Sequence, residues 1–234
     1  MAPANHSTLE ALWPIADAPS APLDKGTEAA PKPLDIQRST LSVRNLHEHR
    51  DLFPRYLRAR REVFIVEKGW QLPETDGMEF DQYDTPLARW IVIHDGEEVL
   101  GGARLLPTTA QCGSHSYMIR DAQLGFLPGL PTDLLHDIAP VTDDVWEATR
   151  LFVCDTVPSH ARMAVQQALL LEMMSAAEKM GATRIIGIVP AVFKRWLKRI
   201  GLSAKEAGPV MRIDGDRVQA AYLSVMQARP GAGL

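Results

Sequence analysis

Two Asp-Gly pairs, Asp95-Gly96 and Asp214-Gly215, each separate two runs of β-type residues. Asp-Gly favours the two-residue turns that join antiparallel strands, so each pair predicts a β-hairpin. Between these hairpins, the runs VWEATRLFVCD and TRIIGIV predict two further strands. A long helical segment lies between those strands, starting at Pro158-Ser159 and ending at Gly181. A mixed sheet flanked by helices is the natural packing of elements in this order.

Helical patterns also precede the first hairpin, over residues 46–67, and follow Pro190 as far as Gly201. The fold class is therefore predicted as α/β, with a mixed and mostly antiparallel sheet. Residues 1–40 contain six Pro and eight Ala without a sustained period, which predicts a disordered tail. Residues 41–234 are predicted to form a single domain.

Composition argues against several classes of protein. The net charge of −4 is not that of a general nucleic-acid binder, whose surface is usually basic. Two distant cysteines, Cys112 and Cys154, favour a reducing cytoplasm over a disulfide scaffold or a cysteine-based zinc site. His47 and His49 are two positions apart, a poor spacing for metal ligands on one helix face, so no metal is expected. The sequence shows no long apolar run, so no membrane insertion is expected.

Charged residues within β-type runs are the most informative feature of the sequence. Arg104 lies in GGARLL, and Glu147 and Arg150 lie in WEATRLF. A regular strand would place residues 147 and 150 on opposite faces, unless a bulge intervenes. Upstream lies the acidic run Glu79-x-Asp81-x-x-Asp84. Taken alone, the acidic run is typical of a solvated loop. The strand residues are equally consistent with outward-facing positions and with buried charges that need partners.

Taken together, the pattern resembles that of the autoinducer-synthase family, the acyl-homoserine-lactone synthases. That family shows an Arg, a Phe four positions later, a Trp six positions after that, the acidic run, an Arg on a strand and E-x-x-R. The matching residues are Arg60, Phe64, Trp70, Glu79, Asp81, Asp84, Arg104, Glu147 and Arg150. The resemblance covers roughly residues 45–205. It implies the three-layer α/β/α fold of the N-acetyltransferase superfamily.

The resemblance also implies an acyltransferase with two steps. The amine of S-adenosylmethionine attacks an acyl thioester; then the methionyl carboxylate closes the lactone and expels methylthioadenosine. The α-amino group has a pKa near 8, so positioning and oxyanion stabilisation are expected to matter more than a strong base. Glu147 is the expected base, directly or through a water. Arg104 and Arg150 are the other expected catalytic residues, which either recognise a carboxylate or hold the acids in place. Substrate binding is assigned to Arg60, Phe64, Trp70, Glu79, Asp81 and Asp84. Asp81 and Asp84 suit the ammonium and sulfonium charges of the cosubstrate, either by binding them directly or by ordering the loop.

The acyl donor is predicted to be acyl carrier protein, with acyl-coenzyme A as the alternative. Acetyltransferases of this superfamily bind the coenzyme A pyrophosphate at a Gly-rich turn that opens the long helix. Here that turn reads DTVPSHARMA, without glycine. Carrier proteins are acidic, so a basic surface is the expected docking site. The residues predicted for it are Arg184, Lys194, Arg195, Lys198 and Arg199.

An apolar pocket for the acyl chain is predicted between the sheet and the long helix. The residues assigned to it are Met118, Phe126, Phe152, Gly187 and Val189. Relatives that make 3-oxo signals often carry Ser or Thr in the strand after the long helix, but residues 185–191 contain neither. The sequence therefore predicts a preference for unsubstituted acyl chains.

Two other functions remain open on the sequence alone. One is a related enzyme that couples acyl thioesters to amino acids without closing a lactone. The other is a catalytically silent relative that binds acyl carrier protein or S-adenosylmethionine.

Overall fold

A seven-stranded sheet forms the centre of the protein. The computed structural model describes residues 34–191, 193, 197 and 203–225. Nine strands are present in this part of the chain, seven in the main sheet and two, β2 and β3, in a small hairpin. The strands are β1 (Gln37–Leu41), β2 (Glu74–Thr75), β3 (Met78–Glu79), β4 (Arg89–Asp95), β5 (Glu98–Pro107), β6 (Val145–Val153), β7 (Arg184–Pro190), β8 (Ala204–Ile213) and β9 (Asp216–Ser224).

The main sheet has the order β1-β4-β5-β6-β7-β9-β8. Its neighbours are antiparallel except for β6 and β7, which run parallel because the long helix connects them. Both Asp-Gly hairpins form as predicted, β4–β5 and β8–β9. In the second turn Asp214 and Gly215 both have positive φ angles, as the favoured hairpin turn requires. The predicted mixed, mostly antiparallel sheet is thus confirmed.

Helices α1 (Leu52–Arg61) and α3 (Ser159–Lys179) cover opposite faces of the sheet. A Cβ built on Gly102 of β5 would lie 2.6 Å from the Tyr56 ring, so α1 packs closely on the face to which residue 102 points. Thr40 of β1 points to the other face, where its hydroxyl donates to Glu172 of α3 at 2.7 Å. These contacts give the expected three-layer α/β/α arrangement.

A β-bulge in β6 decides which way its charged residues point. Gly102 of β5 pairs with Phe152, but Arg104 pairs with Thr149, so β6 contains one extra residue there. Arg150 lies in that bulge with a φ angle of 52°. Its side chain therefore reaches the same acidic residues as the Arg104 side chain. A regular strand would have separated Arg150 from Glu147.

The parallel strands β6 and β7 stay paired over four residues only, from Val145↔Arg184 to Ala148↔Gly187. Beyond that point β6 continues along β5, and β7 continues along β9. The two strands therefore separate, and the gap between them opens a cleft in the sheet. Residues 149–151 on β6 and 188–190 on β7 follow these pairs and border this gap.

Four segments differ from the sequence-based expectation or lie outside the described residues. Residues 37–40, assigned to the tail, belong to the edge strand β1. The polar, half-exposed side chains of this strand gave no apolar alternation, and backbone hydrogen bonds to β4 hold it in place. The predicted loop 107–144 contains the short helix α2 (Met118–Gln123), which is too brief to show helical periodicity. Most of the predicted helix after Pro190, and residues 1–33, lie outside the description.

The described residues contain neither a candidate membrane helix nor a candidate metal cluster. No helix among them is long and apolar enough to cross a membrane. No group of three or more His, Cys, Asp or Glu side chains in the same part of the chain could hold a metal ion.

Candidate active site

Three arginines and three carboxylates form one buried network on the α1 face of the sheet. Arg60 of α1 binds Asp84 through both terminal nitrogens, at 2.7 and 3.0 Å, and Glu79 at 2.5 Å. Arg104 of β5 binds Asp81 at 2.5 Å and Asp84 at 3.0 Å. The acids alternate with the arginines, so each carboxylate has two cationic partners.

Arg150 completes this network from the bulge in β6. Its Nη2 donates to Asp81 at 2.8 Å and to Glu79 at 3.1 Å. The side chains of all six residues are at most 9% exposed. Three positive and three negative charges balance, as burial requires. The two surface alternatives that the sequence left open for these residues therefore do not apply.

The arginines keep the aspartates of the network ionised. Burial opposes ionisation of Asp84, but Arg104 and Arg60 outweigh it and hold the pKa of Asp84 well below its usual range. The pKa of Asp81 is lowered in the same way by Arg104 and Arg150, against the effect of burial. Both oxygens of Asp81 accept hydrogen bonds from arginines, and Oδ1 also accepts from the amide of Tyr83 at 2.8 Å. This loop is thus held in one conformation by its acidic side chains.

Glu147 lies in a different environment from these acids. Its carboxylate is 1% exposed and accepts the amide hydrogens of Met118 at 3.0 Å and Ile119 at 2.7 Å, the first two residues of α2. Burial raises the pKa of Glu147 to about 7, although the two amide hydrogen bonds and Arg104 lower it. A carboxylate with this pKa exchanges protons near neutral pH, whereas the network aspartates do not.

A cavity of about 980 Å³ opens beside the network, at the gap between β6 and β7. One end is charged and aromatic, and includes Asp81, Arg150, Phe64 and Trp70. The other end is mainly apolar. It is formed by Met118, Leu127, Leu130, Ala148, Ile188, Val189 and Phe193. A cavity of this composition can hold a charged ligand and an apolar chain side by side.

The aromatic residues of the predicted motif lie together at the charged end. The rings of Phe64 and Trp70 stack with their centroids 5.2 Å apart. The Arg150 guanidinium lies 5.6 Å from the centre of the Phe64 ring, and the Lys68 ammonium lies 5.8 Å from the centre of the Trp70 ring. Each ring therefore has a cationic group near its face, as expected because the faces of aromatic rings attract positive charge.

The residues predicted for the acyl pocket separate into two groups. Met118 and Val189 line the cavity. Phe152 is fully buried behind Phe64, with ring centroids 5.8 Å apart, and Gly187 is buried against the Ala148 carbonyl. Phe126 is 51% exposed and is not among the lining residues of the described chain.

Sequence reasoning missed several residues that the fold brings to the cavity. Thr149 and Tyr83 lie inside the predicted motifs but were not singled out, although both line the wall. Leu127 and Leu130 come from the predicted loop, and only the packing of α2 against Glu147 shows where that loop runs. For these residues, the sequence offered one signal only, which is that Tyr83 lies between the motif acids Asp81 and Asp84.

The predicted carrier-protein surface is described at one position only. Arg184 is exposed, lies 3.7 Å from Asp144, and its guanidinium lies over the Tyr222 ring. It starts β7, whereas the cavity begins beyond Gly187, about 10 Å along the strand. Lys194, Arg195, Lys198 and Arg199 lie outside the described residues.

The chain is similar in sequence to proteins of one family. The profile of the autoinducer synthase family matches residues 43–231. An acyl-homoserine-lactone synthase of Ralstonia nicotianae is 35% identical over 173 residues, which cover 71% of this chain and 78% of the relative.

Solved structures show the same fold. The crystal structure of TofI in a ternary complex with an inhibitor and MTA superposes with a TM-score of 0.63 at 29% identity, covering 81% of this chain and 91% of that one. BjaI, described as a CoA-dependent acyl-homoserine lactone synthase with SAM and isopentyl-CoA, gives 0.65 at 21% identity, covering 81% and 83%. An N-acetyltransferase from Lactobacillus plantarum gives 0.51 at 16% identity, covering 81% and 98%. The last two comparisons show the shared fold alone.

Proposed function

Since the chain belongs to the autoinducer synthase family, we propose that it transfers an acyl group from acyl carrier protein to S-adenosylmethionine. Closure of the lactone then releases methylthioadenosine and N-acyl-homoserine lactone. The chain is an acyl-homoserine-lactone synthase by its family and relatives. The donor, the cosubstrate and the roles of individual residues are the proposed part. One observation carries them: a single cavity joins a charged, aromatic end to an apolar end.

Phe64 and Trp70 are proposed to hold the sulfonium and adenosine parts of S-adenosylmethionine. A sulfonium is a cation, and both rings already face cationic groups. The presence of MTA in the TofI structure supports S-adenosylmethionine as the cosubstrate. Arg150 lies at the cavity surface and is 9% exposed, so its guanidinium is proposed to meet the carboxylate of the methionyl part.

The remaining charged residues are proposed to act by holding this end of the cavity in shape. The side chains of Asp84, Glu79 and Arg60 are fully buried, and Arg60 binds both carboxylates. Asp81 faces the cavity, but both of its oxygens accept from arginines. These bonds favour ordering of the loop over direct binding of the ammonium group, the alternative role for Asp81 and Asp84. Arg104 serves the same purpose from β5.

Glu147 is proposed as the general base, acting through a water. Its pKa of about 7 suits proton transfer near neutral pH, since a base is most effective when its pKa is close to the working pH. Both oxygens are held by amides, so the orientation of the carboxylate is fixed. Glu147 is not among the described residues that line the cavity, which is why a water between the carboxylate and the amine is part of the proposal.

Acyl carrier protein is proposed as the donor because the turn that opens α3 contains no glycine. Pro158 and Ser159 open this helix, and Pro158 provides no backbone N–H for a pyrophosphate. Acyl-coenzyme A remains the alternative, and BjaI is a CoA-dependent protein of the same fold.

The test is reconstitution with purified protein. Matched octanoyl-carrier protein and octanoyl-coenzyme A would each be mixed with S-adenosylmethionine, and products identified by mass spectrometry. The proposal expects N-octanoyl-homoserine lactone and methylthioadenosine in equal amounts, with the higher kcat/KM for the carrier protein. A higher kcat/KM for coenzyme A would overturn the donor assignment. Open-chain N-acyl amino acid, or binding without turnover, would support one of the two other functions.

A further inference from the structure

Thr149 lies at the boundary between the two ends of the cavity. It follows Ala148, which belongs to the apolar wall, and precedes Arg150, which belongs to the charged end; all three line the cavity. It also lies at the point where β6 separates from β7, because Ala148↔Gly187 is the last pair of those strands. The side chain is 6% exposed, so a ligand in the cavity would meet it away from bulk water.

The hydroxyl of Thr149 has a hydrogen that no acceptor in the described part of the chain takes up. Its oxygen accepts from Arg104 Nε at 3.1 Å, and that guanidinium has no acceptor to offer in return. Among the described residues, no acceptor for the Thr149 hydroxyl hydrogen is found. Donation by a charged group polarises a hydroxyl and strengthens its own donation to a third partner. Thr149 is therefore a polarised donor set in a largely apolar wall.

The path of an acyl chain through the cavity brings its first carbons past this residue. The amine that attacks the thioester belongs to the charged ligand, so the reacting carbonyl must lie towards Arg150. The chain then runs into the apolar end formed by Met118, Ala148 and Ile188. The carbons next to the carbonyl consequently cross the boundary at Thr149.

We propose that Thr149 is a specificity-determining residue, whose hydroxyl donates a hydrogen bond to an oxygen on the third carbon of the acyl chain. The proposal rests on the proposed function, since it places the acyl group in this cavity. It replaces the expectation, drawn from the sequence, that unsubstituted acyl chains are preferred. That expectation considered only whether β7 carries a Ser or Thr hydroxyl. The donor comes from the neighbouring strand β6, and the bulge at Arg150 sets its position.

The experiment compares Thr149→Val, which keeps the shape and removes the hydroxyl, with Thr149→Ser, which keeps the hydroxyl. Each protein receives an equimolar mixture of 3-oxo-octanoyl- and octanoyl-carrier protein, and the ratio of the two lactones is measured. Thr149→Val should lower the 3-oxo share relative to the parent by about 5- to 150-fold, because a buried oxygen loses its partner. Thr149→Ser should keep a ratio within a few fold of the parent.

Competition within one reaction cancels any loss of folded protein, so the ratio reports specificity alone. Thr108→Val is the matched control: Thr108 is equally buried, donates to the Thr142 carbonyl at 2.8 Å, and is not a cavity residue. Its ratio should equal that of the parent. If Thr149→Val slows both donors equally, the hydroxyl serves the reacting carbonyl or the fold, and the proposal is overturned. An unchanged ratio also overturns it, whereas absence of any lactone from the parent refutes the proposed function instead.

Discussion

Replacing Arg104 by Met should destabilise the protein far more than replacing a surface arginine. Arg104 is completely buried and binds Asp81 and Asp84, so its loss leaves the network with two positive and three negative charges. Breaking a buried ion pair on one side costs about 3–5 kcal/mol. For a chain of this size that corresponds to a fall in Tm of roughly 6–20 °C.

Arg55→Met is the matched control for this prediction. Arg55 also binds two carboxylates, Asp51 at 2.7 Å and Glu97 at 2.8 Å, but its side chain is 37% exposed. Exposed pairs of this kind contribute at most about 1 kcal/mol, because water screens them. Arg104 and Arg55 have ion pairs of similar length but differ in burial, so the difference between the two variants measures the effect of burial.

The pH dependence of the Arg104→Met effect gives a second check. In the parent, Asp81 and Asp84 have pKa values below the unfolded value of 3.8, so their contribution to stability is present above pH 3.8 and is lost as pH falls through the folded values. Without Arg104 the folded pKa values rise, and protonation at mildly acidic pH relieves the buried negative charge. The deficit relative to the parent should therefore be larger at pH 8 than at pH 5.

The assay is urea unfolding of the parent, Arg104→Met, Arg55→Met and the neutral double variant Asp81→Asn/Arg104→Met. The double variant should recover on the order of 1 kcal/mol over Arg104→Met, as coupled residues do. Equal free energies of unfolding for Arg104→Met and Arg55→Met at pH 8 would refute the reasoning. So would a deficit that does not change between pH 5 and pH 8.

Three further predictions concern turnover, docking and the N-terminal segment. Glu147→Gln should lower kcat by a factor on the order of 10² and remove the rise in rate through pH 7; a parental rate from folded protein would disprove the base assignment. Lys194→Glu with Lys198→Glu should raise the KM for carrier protein, most strongly at low salt, and a KM unchanged across ionic strengths would move docking elsewhere. Deleting residues 1–33 should leave Tm unchanged, whereas deletion through residue 41 removes β1 and should lower it; a fall of several degrees from the shorter deletion would contradict the tail assignment.

The sequence by itself determined the order of strands and helices, both hairpins and the membership of the charged set. Asp-Gly turns and the glycine at position 181 act locally, through backbone angles that few other residues adopt, so they can be read without tertiary contacts. The motif residues were named instead by resemblance to the autoinducer synthase family, whose spacing Arg60, Phe64 and Trp70 keep within one segment of chain.

Tertiary structure alone decided which charged residues meet. Arg60, Arg104 and Arg150 come from three elements, and their shared acids become visible only when α1 packs on the sheet. The bulge that turns Arg150 towards Asp81 depends on pairing with β5, a contact between residues about 50 positions apart.

The sequence likewise could not predict which residues line the cavity. Leu127 and Leu130 reach it because Glu147 holds the first amides of α2, and a six-residue helix carries no periodic signal of its own. In the sequence Thr149 is an ordinary strand residue, and only the separation of β6 and β7 next to it places it at the cavity. Local preferences fix how each segment folds, but the burial of charge and the gap between two strands arise from contacts between segments distant in the chain, and these set the chemistry of the site.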